Sequence, residues 1–263
     1  MDATMIAWFV FSVGAILGSF LNVCIYRLPR DLSIVLPRSF CPHCKAMIPW
    51  YENIPLASYL LLRGKCFRCR QPIAFRYFLV ELTTALIAWF LWKRYGLSAE
   101  FVASAIFFMM ILVATLTDFE TGLIPDQITF TGMILGLALS VTGHGHFEQA
   151  LWYQKFFASG MGLLTGGGIL LLTGWLGKLV FRKDSMGGGD VKLLAMIGAF
   201  VGVTKVGLVF LLAPFPALPL ALWQRFVKKE ETIPFGPFLA LMGALVFMQG
   251  DAVLNFLSKL YGV

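Results

Sequence analysis

Apolar residues crowd into eight stretches of the chain, roughly Ile6 to Tyr26, Tyr77 to Trp92, Phe101 to Thr117, Leu123 to Val141, Phe157 to Phe181, Asp190 to Thr204, Val206 to Trp223 and Ile233 to Met248. Most of them approach the 20 or so residues that a helix needs to cross a bilayer. Within each run the apolar positions are near-continuous, as expected for helices in lipid. Two of the runs meet around Lys205, which predicts a tight hairpin between short spans. The tail from Gly250 to Val263 either extends the last span or lies at the interface. The expected fold is therefore an all-α polytopic membrane protein of about eight helices.

Composition agrees with this reading. Of 263 residues, 59% are hydrophobic and 13% charged, against about 25% charged in ordinary soluble domains. The net charge of +7 would suit nucleic acid in a soluble protein, but here the cations follow topology. Residues 27–76 hold nine Lys or Arg against Asp31 and Glu52, so the positive-inside rule makes this segment cytoplasmic. Alternation then puts Lys178, Arg182, Lys183, Arg225, Lys228 and Lys229 on the same side. Lys93, Arg94, Lys155, Lys205 and Lys259 fall on the other. That is 15 cations against 5, with Lys192 inside a span. Met1 to Met5 carries no basic residue and Arg27 follows the first apolar run, a pattern expected of a retained anchor with its N-terminus outside. The partner implied by all this is the lipid bilayer, not nucleic acid.

The polar segment 27–76 contains two CxxC pairs, Cys41 with Cys44 and Cys66 with Cys69. Each such turn aims two sulfurs at one point, so two turns build a tetrahedral thiolate site of the kind zinc takes. Disulfides are the alternative, and a reducing cytoplasm disfavours them. A 50-residue piece buries little core of its own, so a structural metal helps it fold. His43 is expected to be exposed, and Cys24 to act as a small apolar residue. The chain divides into 1–26 as first span, 27–76 as cysteine-rich insertion and 77–263 as the remaining membrane domain.

Ionisable residues in or beside spans are costly, and each is a functional candidate. They are Glu81, Asp118, Glu120, Asp126, Asp184, Asp190 and Lys192. The third run ends on the cytoplasmic side at Asp118, and the sixth begins there at Asp190. Two carboxyls brought together share one proton, so the pair holds a base and an acid at once. Peptide hydrolysis at the membrane surface follows, with a proton-coupled carrier or a structural pair as alternatives. Helix capping competes as an explanation for Asp190, at the start of a helix. It is weaker for Asp118, whose charge opposes the dipole at a helix end.

Six segments then stand in one order: GSFLNVCIYRLPR, CPHC with CFRC, PIAFRYFLVELTTAL, DFETGLIPD, GGGDVKLLAMIGAF and IPFGPFLAL. This order resembles the type IV prepilin peptidases, within the GxGD aspartic protease group, over nearly the whole chain. The resemblance implies that Asp118 and Asp190 are the catalytic aspartates and that Cys41, Cys44, Cys66 and Cys69 hold zinc. It also implies prepilin or pseudopilin substrates, cut after a glycine on the cytoplasmic side of the bacterial inner membrane. Methylation of the new N-terminus, with S-adenosylmethionine as donor, is implied too. No nucleotide-binding fingerprint occurs in the sequence, so the methyl-donor site is left unassigned. A GxGD peptidase for other signal-bearing substrates is the second reading. A carrier is the third, and no internal repeat supports it.

The remaining residues have competing readings. Glu81 and Arg76 orient substrate, neutralise each other or snorkel to the interface. Lys192 attracts an acid of the substrate, tunes the aspartates or snorkels to headgroups. Asp126 is expected to open the fourth helix. The GxxxG pairs Gly14 with Gly18, Gly132 with Gly136 and Gly162 with Gly166 predict close helix packing inside the chain. Pro234, Gly236 and Pro237 are expected to start the last span near the aspartates.

Overall fold

The computed structural model describes residues 2–142, 151–182, 187–224, 226 and 234–261. Lys183, Asp184, Arg225, Lys228 and Lys229, named above for charge or topology, lie outside them. Among the described residues the regular structure is helical: α1 (Ala3–Arg27), α2 (Ala57–Leu61), α3 (Phe75–Tyr95), α4 (Ala99–Thr121), α5 (Asp126–Ser140), α6 (Trp152–Phe181), α7 (Gly188–Leu212), α8 (Pro214–Trp223) and α9 (Gly236–Tyr261). The chain forms two compact units, Met1–Ala105 and Ile106–Val263, with the boundary inside α4.

In the first unit α1 packs along α3, and small residues let the two backbones approach. A Cβ built on Gly14 would lie 2.8 Å from the Ala85 Cα, and one on Gly18 would lie 2.7 Å from the Glu81 Cα. Asn22 is fully buried one turn further on and donates from Nδ2 to the Tyr77 carbonyl at 3.0 Å. Past α1, the buried Arg27 guanidinium donates to the carbonyls of Ser33 and Pro37, each at 2.7 Å, which folds the start of the insertion back over the helix end. The two cysteine turns that follow share one construction. The Lys45 N–H donates to the Cys41 carbonyl at 2.9 Å, and the Arg70 N–H to that of Cys66 at 3.0 Å. Each turn is closed by an isolated antiparallel bridge, Phe40 with Met47 and Lys65 with Pro72.

The second unit is built around α7. Leu193 to Gly202 is buried without a break, and α5, α6 and α9 pack against this helix. Phe107 stacks on Phe247 with centroids 4.6 Å apart and meets Phe200 at 5.1 Å. Gly202 has φ 79° and ψ 177°, far from helical values, and the chain reverses there. A Cβ on Gly166 would touch both the Leu194 carbonyl and, at 3.0 Å, the Val206 Cγ2. In a straight helix those two residues would stand about 18 Å apart. The hairpin expected at Lys205 is thus present, turning three residues earlier at a glycine that tolerates positive φ. Gly132, Gly136, Gly162 and Gly166 all face α7 at close range, so the three GxxxG pairs serve packing within the chain.

Six helical stretches among the described residues are long and apolar enough to cross a membrane. The all-α membrane architecture holds, and the difference from eight runs has two sources. The sixth and seventh runs form one continuous stretch, Gly188–Trp223, folded at Gly202. The fourth run yields only the 15-residue α5, about 22 Å long, because residues 122–125 before it are non-helical. Ile124 and Pro125 are buried there, as irregular backbone at membrane depth must be.

Candidate functional site

Asp118 lies in the last turn of α4, and its side chain is buried at 7% exposure. It sits where the helix dipole disfavours an acid, so capping does not account for it. Its carboxylate instead meets the start of another helix. The group lies against the backbone N–H of Gly236, the first residue of α9, at the end of a helix that favours negative charge. The Oδ2 atom is buried and has no hydrogen-bond partner.

Asp190 occupies the third position of α7, after the cap Gly187. An acid in a first turn gains from the dipole, so the capping explanation retains part of its force here. The residue is half-buried and close enough to Asp118 for the two carboxyl groups to interact electrostatically. Ile124, from the non-helical link, is the shared neighbour. A Cβ on Gly189 would lie 3.2 Å from the Ile124 Cβ; one on Gly236 would lie 2.9 Å from its Cδ1 and 2.7 Å from the Asp118 Oδ2. Glycine at both positions leaves room for the isoleucine and for the carboxylate. The structure therefore brings Asp118 and Asp190 together, with the start of α9 beside them as the Pro234, Gly236 and Pro237 pattern suggested.

Other candidates separate from this pair. Lys192 donates from Nζ to Asp126 Oδ1 at 2.6 Å and lies over the Phe130 ring at 5.5 Å. It is engaged with the first residue of α5. Glu81 accepts the Leu56 backbone N–H at 2.8 Å, with the Ser19 hydroxyl as a second partner, and Arg76 lies over the Tyr77 ring at 5.0 Å. Glu120 is exposed. Sequence reasoning placed Lys205 at the hairpin but missed its burial and its partner: its Nζ donates to Asp251 Oδ2 at 2.8 Å. It missed Ile124 as well, since a lone isoleucine in an apolar chain carries no signal.

The four cysteines form a second site, within the first unit. Their sulfurs all lie within 4.8 Å of one another, and those of Cys41 and Cys69 are 3.8 Å apart. Tetrahedral thiolates at about 2.3 Å from zinc stand about 3.8 Å apart, so the cluster fits such an ion. The Cys69 backbone N–H, together with other donors, draws the Cys66 thiol down to about 7. Cys69 is pushed up to about 11: the Gln71 backbone N–H works against the rise, but desolvation and the sulfurs of Cys66, Cys44 and Cys41 outweigh it. A cation among the sulfurs removes that competition for protons. His43 is exposed and Cys24 is buried, both as expected.

Two family models cover most of the chain. Residues 12–95 match the bacterial peptidase A24 N-terminal domain, and residues 105–222 match the type IV leader peptidase family. A relative from Stutzerimonas stutzeri is 35% identical over 92% of this chain and 90% of its own length. One from Pseudomonas aeruginosa is 34% identical over 92% and 89%, and one from Neisseria gonorrhoeae 32% identical over 92% and 90%. All three are named prepilin leader peptidase/N-methyltransferase. No solved structure matches. With a relative this similar over nearly its full length, and with two family models matching 12–95 and 105–222, the chain belongs to the type IV leader peptidase family.

Proposed function

We propose that this chain is a membrane aspartic endopeptidase that removes the basic leader of type IV prepilins or type II secretion pseudopilins, and that it methylates the new N-terminus. The observation that carries the reading is the meeting of Asp118 and Asp190 around Ile124, beside the start of α9. Two carboxyl groups close enough to interact hold one proton between them. The ionised member takes a proton from water as it attacks the peptide carbonyl carbon. The protonated member donates to the carbonyl oxygen; as the tetrahedral intermediate collapses, the proton taken from water passes to the leaving nitrogen and the hydroxyl proton returns to the other carboxyl. The Gly236 N–H positions the Asp118 carboxylate, and Gly188, where a Cβ would meet nothing within 4 Å, leaves clearance for an extended substrate backbone.

In functional terms, 1–26 supplies the first span, 27–76 a zinc module and 77–263 the peptidase. Zinc held by Cys41, Cys44, Cys66 and Cys69 is structural, since four thiolates fill a tetrahedral ion and leave no open position. S-adenosylmethionine supplies the methyl group. The setting is the bacterial inner membrane, with cleavage after glycine on the cytoplasmic side, a reading supported by the charge of segment 27–76.

Coexpression with a prepilin, followed by mass spectrometry of the pilin, tests both activities. The parent protein should yield leaderless, singly methylated pilin, whereas Asp118→Asn and Asp190→Asn should leave the leader in place. Full processing by either variant would remove that residue from the chemistry. An unmethylated mature pilin, with methyl donor present, would reduce the activity to proteolysis alone.

A further inference from the structure

Glu81 is a buried carboxylate, 9% exposed, that the proposed proteolysis does not use. It belongs to α3, whose 21 residues span about 30 Å, close to the thickness of the hydrocarbon core. Arg76 opens that helix and Lys93 and Arg94 close it, so cations mark both ends. Six residues in, Glu81 sits about 9 Å along the helix. At that level it accepts the backbone N–H of Leu56, a residue from the middle of the cysteine-bearing insertion.

Leu56 has φ 62° and ψ −51°, and the Ala57 N–H donates across it to the Pro55 carbonyl at 2.6 Å. This is a three-residue turn of the rare positive-φ kind. For a leucine it costs on the order of 1–3 kcal/mol, and surrounding contacts must hold it. Glu81 is one such contact. Tyr59 is another: its ring meets Phe78 at 5.4 Å and Phe75 at 6.2 Å, and its hydroxyl donates to the Ile73 carbonyl at 3.4 Å. Leu56 and Tyr59 thus tie the middle of the insertion to the first two turns of α3.

The same twelve residues expose a run of apolar side chains. Trp50, Tyr51, Ile54, Leu60 and Leu61 are all exposed, Trp50 at 73% and Leu61 at 82%. On α3 itself Phe75 and Leu79 are exposed too, so the apolar surface continues onto a helix that faces lipid. Irregular backbone is tolerated at membrane depth only where its polar groups find protein partners. Besides Leu56, the Ile54 N–H donates to Ser58 Oγ at 2.9 Å and the Asn53 N–H to the Trp50 carbonyl at 3.1 Å. Aromatic Trp and Tyr belong at the boundary between headgroups and acyl chains. Arg63 and Arg76 border the stretch with positive charge, which suits anionic headgroups.

We propose that residues 50–61 are a membrane anchor seated in the headgroup and acyl-chain boundary of the phospholipid bilayer, held at that depth by Glu81. Glu81 is then a positioning residue: it supplies the acceptor that lipid cannot. The proposal does not depend on the peptidase reading.

Lipid-borne bromine tests it directly. The full-length, zinc-loaded protein is reconstituted in phosphatidylcholine and phosphatidylglycerol vesicles, with bromines placed either high or low on the acyl chains. The Trp50 signal is the difference between the parent and Trp50→Phe, an exposed site where the change is mild. Loss of most of the Trp50 emission with high bromines, and less with low ones, is expected. Leu60→Asp combined with Leu61→Asp should restore emission, and so should Glu81→Ala, whereas Glu81→Gln, which keeps an acceptor oxygen, should restore it less. Trp50 emission indifferent to bromine at either depth would overturn the anchor. So would emission that responds only when a hydrophobic pilin-type peptide is added, because that outcome makes the stretch a protein-docking surface. Unchanged quenching in Glu81→Ala would remove Glu81 from the account.

Discussion

The cysteine site and the aspartate site solve the same problem, holding chemically demanding groups at fixed positions, by opposite means. The cysteines sit on two short turns with little core around them, and each sulfur is placed by its own turn's hydrogen bonds. The aspartates come from two long helices, α4 and α7, which meet through the rings of Phe107 and Phe200. A local device is readable from the sequence at once, because CxxC is a complete instruction. A packed device is written across the whole chain. The cysteine turns should consequently fail when the ion is lost, and the aspartate pair when a few tenths of an ångström are lost.

The largest effect expected is on chemistry. Asp118→Asn or Asp190→Asn should lower the rate of leader cleavage by about 10²–10⁴-fold, the usual range for positioned acid–base groups, with zinc content unaltered. Quantitative mass spectrometry of pilin alongside metal analysis measures both. Next comes clearance. Gly236→Ala sets a methyl group 2.7 Å from the Asp118 Oδ2 and 2.9 Å from the Ile124 Cδ1, so the carboxylate must shift. A displacement of about 1 Å costs on the order of 10²-fold in rate, so kcat should fall by that order with KM nearly constant. A matching fall in substrate affinity would mean that Gly236 shapes binding instead.

The cysteine side is sharpened by the reciprocal change. Cys41→Ser with Cys66→Ser should abolish stoichiometric zinc while leaving cleavage within a few-fold of the parent. Uptake of zinc by the metal-free protein should weaken as pH falls through about 7, where the Cys66 thiolate takes up its proton, because binding requires thiolates. Titration with a chelating indicator at several pH values would show it, and uptake independent of pH in that window would contradict it. Smaller again is the effect of packing in the first unit. Gly18→Ala sets a methyl against the Glu81 backbone and should destabilise by about 1–3 kcal/mol, seen as a lower unfolding midpoint in detergent. Smallest is Lys192→Met, which breaks a half-exposed ion pair worth about 0–1 kcal/mol.

Residue chemistry largely decided what was legible. The aspartates, the four cysteines, the GxxxG contacts and the hairpin near Lys205 all follow from rules that need only residue type, spacing and membrane topology. The partners of Glu81 and Lys192 do not. Arg76 was the natural expectation for Glu81, but its observed acceptor role serves the backbone of Leu56, 25 residues earlier. A main-chain N–H is present at nearly every residue, so a sequence cannot mark this one out. Lys192 and Asp126 are 66 residues apart, and only the packing of α5 on α7 brings them into reach. The 15-residue α5 was overestimated for a related reason: Leu123 and Ile124 are as apolar as helix residues, yet Ile124 spends its apolarity filling the space between two glycines.

The turn at Gly202 also bears on how the chain enters the bilayer. In the orientation proposed above, with the start of α7 on the cytoplasmic side, the two arms of α7 go in as a pair with their turn leading. Lys205, three residues past the turn, must therefore be carried across the hydrocarbon at about 2.5–3.5 kcal/mol on insertion scales. Its counter-ion Asp251 is made 46 residues later, on α9. The arms are apolar enough to carry that charge across alone, and the last helix neutralises it on arrival. The final span thus acts as a latch on an insertion already made, closing it with an ion pair at the far side.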